Sequence, residues 1–350
     1  MNKKENPYQG RLDDFVKVVR ERKLDSAIVF NQANVRSLTG VDCDNAALVV
    51  EFIKGGRADI RFYTDFRYVP MVHRVAPQLK VVDMKRLKFS GSRVGYEPTV
   101  SHARFLKLQK AHPKTEFVDI DDAIKALRSV KTADEIEKLR AAEALNSEIW
   151  AEAQAQFKPG MTELHMARII RHLMIEKGEG EAFETIVCVG ANAAECHHVP
   201  DDTIWDGKAP VLVDMGVKLD GYCSDMTRNI VPNRPSRLYR EIYSLVLKAN
   251  MSAIAAAKPG MTCGKLDRVA RKIIEDAGFG KCFGHSLGHG VGLEIHETPS
   301  ARKGDKTVLK PGMLVTIEPG VYLEGNLGVR IEDLILITEY GCEVLSPSPK

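Results

Sequence analysis

Two segments that start 100 residues apart carry nearly the same pattern. Residues 158–183 read KPGMTELHMARIIRHLMIEKGEGEAF and residues 258–283 read KPGMTCGKLDRVARKIIEDAGFGKCF, and ten of the 26 aligned positions are identical without a gap. Each copy predicts a turn, a capped helix and a glycine-bounded exit into a strand. A spacing of 100 residues is too long for a solenoid repeat. We therefore expect two pseudo-symmetric halves around one shared sheet, with a single site between them.

The residues before this repeat follow a different pattern, in which helical and strand-like segments alternate. The predicted segments are a helix at 11–23, a strand at 26–30 and a hairpin formed by 46–52 and 59–63. Thr132 and Glu135 then have capping-box spacing at the start of a long amphipathic helix. The sequence therefore predicts a small α/β domain over residues 1–127 and a second domain over residues 128–350.

Composition narrows the class of partner and the compartment. A net charge of +3 gives no reason to expect nucleic acid or a membrane surface as a partner. No run approaches the ~18 apolar residues of a membrane helix, and the first ten residues lack a signal-peptide core, so we expect a cytoplasmic protein. Seven scattered cysteines without a C-x-x-C motif argue against a disulfide framework and a thiolate zinc site.

Two acids flank a predicted hairpin in residues 211–225, VLVDMGVKLDGYCSD. If the turn is centred between Leu219 and Asp220, Asp214 and Asp225 face each other across an antiparallel pair. Like charges opposed on neighbouring strands destabilise a sheet, and buried carboxylates destabilise the fold further unless they are neutralised. A binding partner of opposite charge is therefore expected there.

A second hairpin repeats the arrangement. Glu318 and Glu332 are equidistant from Gly325, which lies in a Gly-Asn-rich turn. A single facing pair has an alternative interpretation, a solvated surface ladder in which the predicted register is wrong. Two such pairs flanked by apolar residues, in the domain that also carries a histidine cluster, favour one buried acidic site over that alternative.

The histidine cluster is GHSLGHGVGLEIHETP, residues 284–299. His285 and His289 are four residues apart and share a face in a strand or a helix. His296 would point to the opposite face of a regular strand, so both His289 and His296 enter one site only if a bulge or bend intervenes, which the neighbouring glycines allow. His197 or His198 is a further candidate, although a surface loop is an equally good interpretation of that pair.

Bound cations would neutralise these facing carboxylates. Four carboxylates and one imidazole suit two divalent ions ~3.5–4 Å apart, which can activate a water molecule and polarise a carbonyl group. Oxygen-rich ligation favours Mn²⁺, Co²⁺, Fe²⁺ or Zn²⁺ over thiophilic metals, and Mn²⁺ is the first expectation. Histidines that hold no metal would transfer protons or stabilise a tetrahedral intermediate.

These residues resemble the pita-bread metallopeptidases, which include methionine aminopeptidase, Xaa-Pro aminopeptidase and prolidase. The resemblance covers residues 130–350 in chain order: the Asp-x10-Asp spacing, GHGVG around His289, TIEPG around Glu318 and VRIED ending in Glu332. GYCSDMTR around Asp225 is similar to the Xaa-Pro branch. The implied fold is a creatinase-type α/β N-terminal domain followed by an α+β pita-bread catalytic domain with a pseudo-two-fold internal repeat, and the implied assembly is a homodimer.

The resemblance also implies roles for individual residues. The implied metal ligands are Asp214 at the first ion, Asp225 and Glu332 at both, and His289 and Glu318 at the second. His197, rather than His198, matches a contact to the substrate or oxyanion, and His296 matches a proton-relay histidine. The implied substrate-binding residues are His285 near the proline ring and Tyr322, for which a core role is an equal alternative. Arg330 lies two residues before Glu332, on the same strand face, where it could orient bridging groups or transfer protons.

Three functions are compatible with such a chain. The intact ligand set favours an enzyme over a metal-free creatinase-type hydrolase or a non-catalytic pita-bread binding module. The expected activity is hydrolysis of the Xaa-Pro bond in short peptides with proline at the second position. Prolidases resemble one another in placing an arginine just after H-E-x-P, but here Ser300 follows Pro299, and Arg302 and Lys303 come later. Because a carboxylate clamp needs a fixed guanidinium, we expect an Xaa-Pro aminopeptidase, with Xaa-Pro dipeptidase (prolidase) as the alternative.

Overall fold

A computed structural model describes residues 7–350, and the chain divides into two compact units after Arg128. The predicted boundary lies one residue earlier. None of the helices in the described part of the chain has both the length and the apolar character needed to cross a bilayer.

The first unit is an α/β domain built on one mixed sheet. Its elements are α1 Gln9–Glu21, β1 Ser26–Val29, α2 Gln32–Thr39, β2 Ala46–Phe52, β3 Ala58–Thr64, α3 Val69–Val75, β4 Lys80–Asp83, β5 Arg93–Tyr96, α4 His102–Ala111, β6 Glu116–Asp119 and α5 Asp121–Ser129. The strand order is β4-β3-β2-β1-β5-β6, and β2 is antiparallel to both of its neighbours. The first five residues of β2 are all buried, as expected for a central strand covered on both faces. The predicted helix, strand and hairpin are confirmed.

The second unit contains four α-helices and twelve strands among its described residues. They are α6 Ala133–Gln156, α7 Glu163–Lys177, β7 Ile186–Val189, β8 Val211–Met215, β9 Lys218–Leu219, β10 Tyr222–Cys223, β11 Met226–Ile230, α8 Arg237–Ala256, α9 Cys263–Asp276, β12 Gly288–Gly290, β13 Glu297–Ala301, β14 Leu314–Ile317, β15 Gly320–Leu323, β16 Leu327–Arg330, β17 Asp333–Ile337 and β18 Cys342–Val344. Thr132 and Glu135 form the predicted capping box, so α6 begins where the sequence indicates.

Each half of the second unit packs a helix pair on antiparallel strands. In the first half, Ile149 of α6 and Ile170 of α7 share a core with Val213 in the sheet β11-β8-β7. In the second half, α8 and α9 bury Val246 and Leu266 against the sheet β14-β17-β18. Each half of the second unit thus has its own three-stranded sheet in the described residues, which gives the α+β layering, and the expectation of one shared sheet is wrong.

The repeated sequence produces repeated hydrogen bonds. Thr162 caps α7 and Thr262 caps α9, each accepting a bond from the backbone N–H three residues later. Two residues before each threonine, Gly160 and Gly260 adopt φ angles of 96° and 82°. Their N–H groups donate to loop carbonyls at 2.8 Å and 2.9 Å. The two copies of the repeat thus form equivalent backbone hydrogen bonds, as the predicted pseudo-two-fold relation requires.

Candidate active site

The strands β8 and β11 position the two aspartates, but the predicted turn centre is wrong by one residue, which shifts the pairing by two residues. The turn is centred between Asp220 and Gly221, which adopt φ angles of 48° and 70°, and Asp214 pairs with Thr227. Asp225 immediately precedes β11 and lies diagonally from Asp214 instead of opposite to it. Both carboxylates nevertheless line the same cavity.

The register predicted for the two glutamates is confirmed. Ile317 pairs with Asp333 and Gly320 pairs with Arg330, and both pairs are equidistant from Gly325. Glu318 and Glu332 occupy the step between these paired segments, so the same register sets them opposite each other. Both line the cavity that contains the aspartates.

His289 completes the acidic cluster. Its Nε2 lies 3.5 Å from Asp225 Oδ2 and 3.5 Å from Glu318 Oε1. Its Nδ1 donates to the carbonyl of Gly290 at 3.0 Å, which fixes the ring and directs the Nε2 lone pair at the carboxylates. Ligand atoms of Asp225, His289 and Glu332 all lie within 4.8 Å of one another, a spacing that suits a metal ion.

The cluster has an excess of negative charge when its carboxylates are ionised. Burial raises the pKa of Asp225 and of Glu332 well above the usual range of carboxylic acids, and repulsion from neighbouring carboxylates adds to the shift. Burial also raises the pKa of Glu318 to about 8, although Arg330 opposes the change. Asp214 Oδ1 is buried without a hydrogen-bond partner in the described residues. These oxygen atoms fit divalent cations, which would neutralise the carboxylates and occupy the free position.

This imbalance predicts a pH-dependent stability for the chelated protein. An acid whose pKa is raised in the folded state binds more protons there than in the unfolded chain, so stability falls as pH rises toward the folded pKa. For Glu318, with a pKa of about 8, the loss between pH 6.5 and 8 is on the order of 1–2 kcal/mol. The opposite contribution of His285 and His289, whose pKa burial lowers to about 4, ends near pH 6.5, the ordinary pKa of histidine.

Thermal unfolding in EDTA should therefore give a lower Tm at pH 8 than at pH 6.5. Saturation with metal should reduce this difference, and Glu318→Gln should reduce it in the chelated protein because one of the titrating carboxylates is gone. A Tm of the chelated protein that stays constant or increases toward pH 8 would contradict the assignment of buried, uncompensated carboxylates.

Arg330 is a buried cation within the same cluster. Its Nη2 donates to Asp214 Oδ2 at 2.6 Å and its Nε donates to Thr227 Oγ1 at 3.0 Å. Its Nη1 donates to the hydroxyl of Tyr322 at 2.9 Å, and that hydroxyl lies 2.9 Å from His285 Nε2. A hydrogen-bonded chain therefore runs from His285 to Asp214, and it fixes both Tyr322 and Arg330 beside the acidic cluster.

The two neighbouring histidines of the loop after β7 differ. His197 is exposed and lines the cavity, where a bound molecule can reach it. His198 is buried, and its Nε2 lies 2.7 Å from Glu163 Oε2. Glu163, His198 and Asp201 form a second group of metal-ligating side chains. However, Glu163 already accepts bonds from Val189 N, at 2.5 Å, and from Asp201 N, at 3.2 Å. We therefore interpret this group as a structural contact that holds the loop in place.

His296 enters the cavity through a bulge. The pairing of β12 with β13 shifts between His289 and Gly290, as the prediction for this segment requires. The rings of His289 and His296 then lie 4.4 Å apart, edge to face. His296 is exposed to the cavity and lies outside the three-residue ligand group.

The cavity has a volume of about 590 Å³ and unites most of the predicted site. All five predicted metal ligands line it, as do four of the five other predicted site residues, Tyr322 being the exception. Two further residues of the site did not follow from the sequence motifs: Glu143, whose Oε1 accepts the Asp225 N–H at 2.6 Å, and Arg171, which lines the cavity from α7. An acid on the buried face of α6 was a weak signal for Glu143, and the repeated arginine was a signal for Arg171.

The fold and the site define a metallopeptidase of the pita-bread type. The chain belongs to metallopeptidase family M24, whose pattern matches residues 137–339, while the Creatinase/Prolidase N-terminal domain matches residues 11–130. The predicted family, its fold class and an enzymatic function are confirmed.

The relatives refine this assignment. The chain is 36% identical to an Xaa-Pro dipeptidase of Pyrococcus furiosus, over 97% of this chain and 98% of that protein. The solved Xaa-Pro dipeptidase from Bacillus anthracis superposes with a TM-score of 0.90 at 30% identity, covering 98% of each chain. An X-Pro aminopeptidase from Thermotoga maritima superposes with a TM-score of 0.84 at 31% identity, covering 94% of this chain and 97% of that one. These findings favour the dipeptidase alternative over the aminopeptidase expected from the sequence.

Proposed function

We propose that this metallopeptidase is an Xaa-Pro dipeptidase, which hydrolyses the bond before proline in dipeptides. The observation that carries the proposal is the convergence of the five candidate metal ligands and two exposed histidines in one cavity. The 36% identity to an Xaa-Pro dipeptidase along almost the whole chain supports the same substrate class.

The metal centre would be held by the acidic cluster. Its ligands would be Asp214, Asp225, His289, Glu318 and Glu332. Two divalent ions, when bound, supply a Lewis acid for the scissile carbonyl and lower the pKa of water. The oxygen-rich donor set suits Mn²⁺ first and also Co²⁺, Fe²⁺ or Zn²⁺.

The remaining side chains would bind substrate and transfer protons. His197 and His296 are exposed to the cavity, so either ring can reach the substrate and act as a hydrogen-bond donor or a proton carrier. Arg330 holds one oxygen of Asp214 and leaves the other free of protein partners among the described residues. His285, held by the Tyr322 hydroxyl at 2.9 Å, contributes a ring to the cavity wall.

A second candidate function, Xaa-Pro aminopeptidase, is favoured by the loop after His296. Ser300 lines the cavity at the place where prolidases carry an arginine. Arg302 is 69% exposed, does not line the cavity, and has its Nε 3.8 Å from Asp305 Oδ2. This loop therefore provides no clamp for a substrate carboxylate, and such a clamp is what would exclude longer peptides.

The two candidates differ in the preferred length of substrate. A dipeptidase should give a kcat/KM for Ala-Pro at least about tenfold above that for Ala-Pro-Ala, a difference near 1.4 kcal/mol. Met-Ala serves as a control for proline specificity, and Arg302→Ala should leave the preference unchanged because its side chain is exposed and does not line the cavity. Equal or faster hydrolysis of the tripeptide would instead identify an aminopeptidase.

The homodimer and the cytoplasmic location stay predictions. Sedimentation equilibrium of the metal-loaded protein tests the first, and cell fractionation tests the second. A monomer at all accessible concentrations would contradict the predicted assembly.

A further inference from the structure

In an Xaa-Pro dipeptide the proline carries the free α-carboxylate, and a dipeptidase needs a cation to bind it. The loop after His296 supplies no such cation. We propose that Arg171 of α7 binds this carboxylate and thereby determines the specificity of the enzyme for a free C-terminus. This inference rests on the proposed function. It assigns a substrate-binding role to a residue outside the H-E-x-P loop.

A chain of contacts places Arg171 close to the acidic cluster. Arg171 Nε donates to Glu181 Oε1 at 2.8 Å, and the same oxygen accepts bonds from Thr185 N at 2.9 Å and Thr185 Oγ1 at 2.7 Å. The next residue, Ile186, pairs directly with Asp214 in the antiparallel sheet. Paired Cα atoms lie ~4.5–5.5 Å apart and consecutive ones ~3.8 Å, so the wall that holds Arg171 adjoins the metal ligands.

Arg171 also differs from the other arginine that lines the cavity. Arg330 is 3% exposed, and all three of its guanidinium nitrogens donate to protein groups. The side chain of Arg171 is 32% exposed, and only its Nε has a hydrogen-bond partner within residues 7–350. Its two terminal nitrogens therefore remain available for a carboxylate, which an arginine can bind with two parallel hydrogen bonds.

The internal repeat provides a comparison within the same chain. Arg271 occupies the position equivalent to Arg171, but its guanidinium is fully engaged. Nε and Nη2 donate to the two oxygens of Asp267 at 2.8 Å and 2.7 Å, and further bonds reach the carbonyls of Phe283 and His285. The residue equivalent to Asp267 is Ala167. Arg271 is thus a structural arginine, whereas the loss of this acid in the first copy frees the terminal nitrogens of Arg171.

The test compares a free carboxylate with an amide. The wild-type holoenzyme should prefer Ala-Pro over Ala-Pro amide, and Arg171→Gln should lower that ratio of kcat/KM about 10–100-fold, mainly through a higher KM for Ala-Pro. Arg171→Lys keeps the positive charge but cannot donate two parallel hydrogen bonds to a carboxylate, so it should retain part of the preference. Glu181→Gln removes the negative charge beside the arginine but keeps an oxygen that can accept from its Nε, and the cation itself is unchanged, so the ratio should stay within about threefold of the wild-type value.

Three outcomes would overturn the proposal. They are an unchanged ratio in Arg171→Gln, an equal loss of preference in Arg171→Gln and Glu181→Gln, and a wild-type enzyme that accepts the amide as well as the acid. Calorimetric binding of proline and prolinamide to the same metal-loaded variants provides a readout that does not depend on turnover. If the wild type hydrolyses no Xaa-Pro peptide, the proposed function is wrong, and equal affinity for proline and prolinamide would additionally reject the role of Arg171.

Discussion

Replacing Glu332 with glutamine should lower kcat/KM for Ala-Pro by more than about 10³-fold while the protein stays folded. Lewis-acid catalysis contributes several kcal/mol, and the loss of about 4 kcal/mol corresponds to a factor near 10³. Glutamine has nearly the same shape, and its carbonyl oxygen can still accept the Thr227 hydroxyl, which lies 2.7 Å from Glu332 Oε2. The substitution therefore removes a charge that would hold a cation and little else.

Glu332→Gln tests the metal site with fewer side effects than Asp214→Asn. Asp214→Asn should also remove metal-dependent hydrolysis, but it deletes the ionic partner of the buried Arg330 at 2.6 Å. An unpaired buried cation destabilises the fold by itself. A loss of activity in Asp214→Asn would thus have two causes, whereas a loss in Glu332→Gln has one.

Glu343→Gln is the matched control for the glutamate substitution. Glu343 lies on β18 in the same domain and pairs with Arg140 outside the cavity. Metal content by elemental analysis, circular dichroism and kcat/KM should be measured on both variants. If Glu332→Gln keeps activity within about tenfold of wild type, the assignment of this carboxylate to a dinuclear centre is wrong.

The two acidic hairpins show how far local patterns determine the site. The position of the turn sets the register of a hairpin. Centring the second hairpin on Gly325 predicted the pairing of the glutamates correctly. At the other hairpin the correct signal was also local, because Asp220-Gly221 is a typical pair for a tight turn with two positive φ angles. Centring the turn one residue too early moved Asp225 from a diagonal position to a directly opposed one.

Tertiary partners could not be predicted in this way. Glu163 begins α7 and meets His198 35 positions later, and Glu143 reaches Asp225 across 82 positions. No local spacing relates such residues, because helix packing on the sheet brings them together. The motifs thus identified most residues that line the cavity, while the side chains that hold these residues in place became visible only in the structure.

The preference for an aminopeptidase shows the same limitation. It rested on the absence of an arginine directly after Pro299, a correct observation about one loop. The structure adds that a cavity wall can receive a cation from a distant helix, as Arg171 on α7 illustrates. A motif absent from one element therefore does not exclude the chemical function, since a different element can supply the same group.

His296→Ala should lower kcat about 10²–10³-fold and leave the metal content near that of the wild type. The ring lies 4.4 Å from that of His289 and is exposed to the cavity, while the candidate ligand group of Asp225, His289 and Glu332 does not include it. A histidine in this position can donate to the developing oxyanion or move a proton, and such a role contributes ~10²–10⁴-fold to the rate.

His172→Ala is the control for this substitution, because that histidine is exposed on α7 and does not line the cavity. Both variants should be loaded with Mn²⁺, analysed for bound metal and assayed with Ala-Pro at saturating concentration. Proton transfer by His296 requires kcat to fall at constant metal content, since the ligands are untouched. A loss of bound metal at an unchanged turnover per metal would instead make His296 a sixth ligand, and the proton would then have to be moved by His197, the other exposed histidine of the cavity.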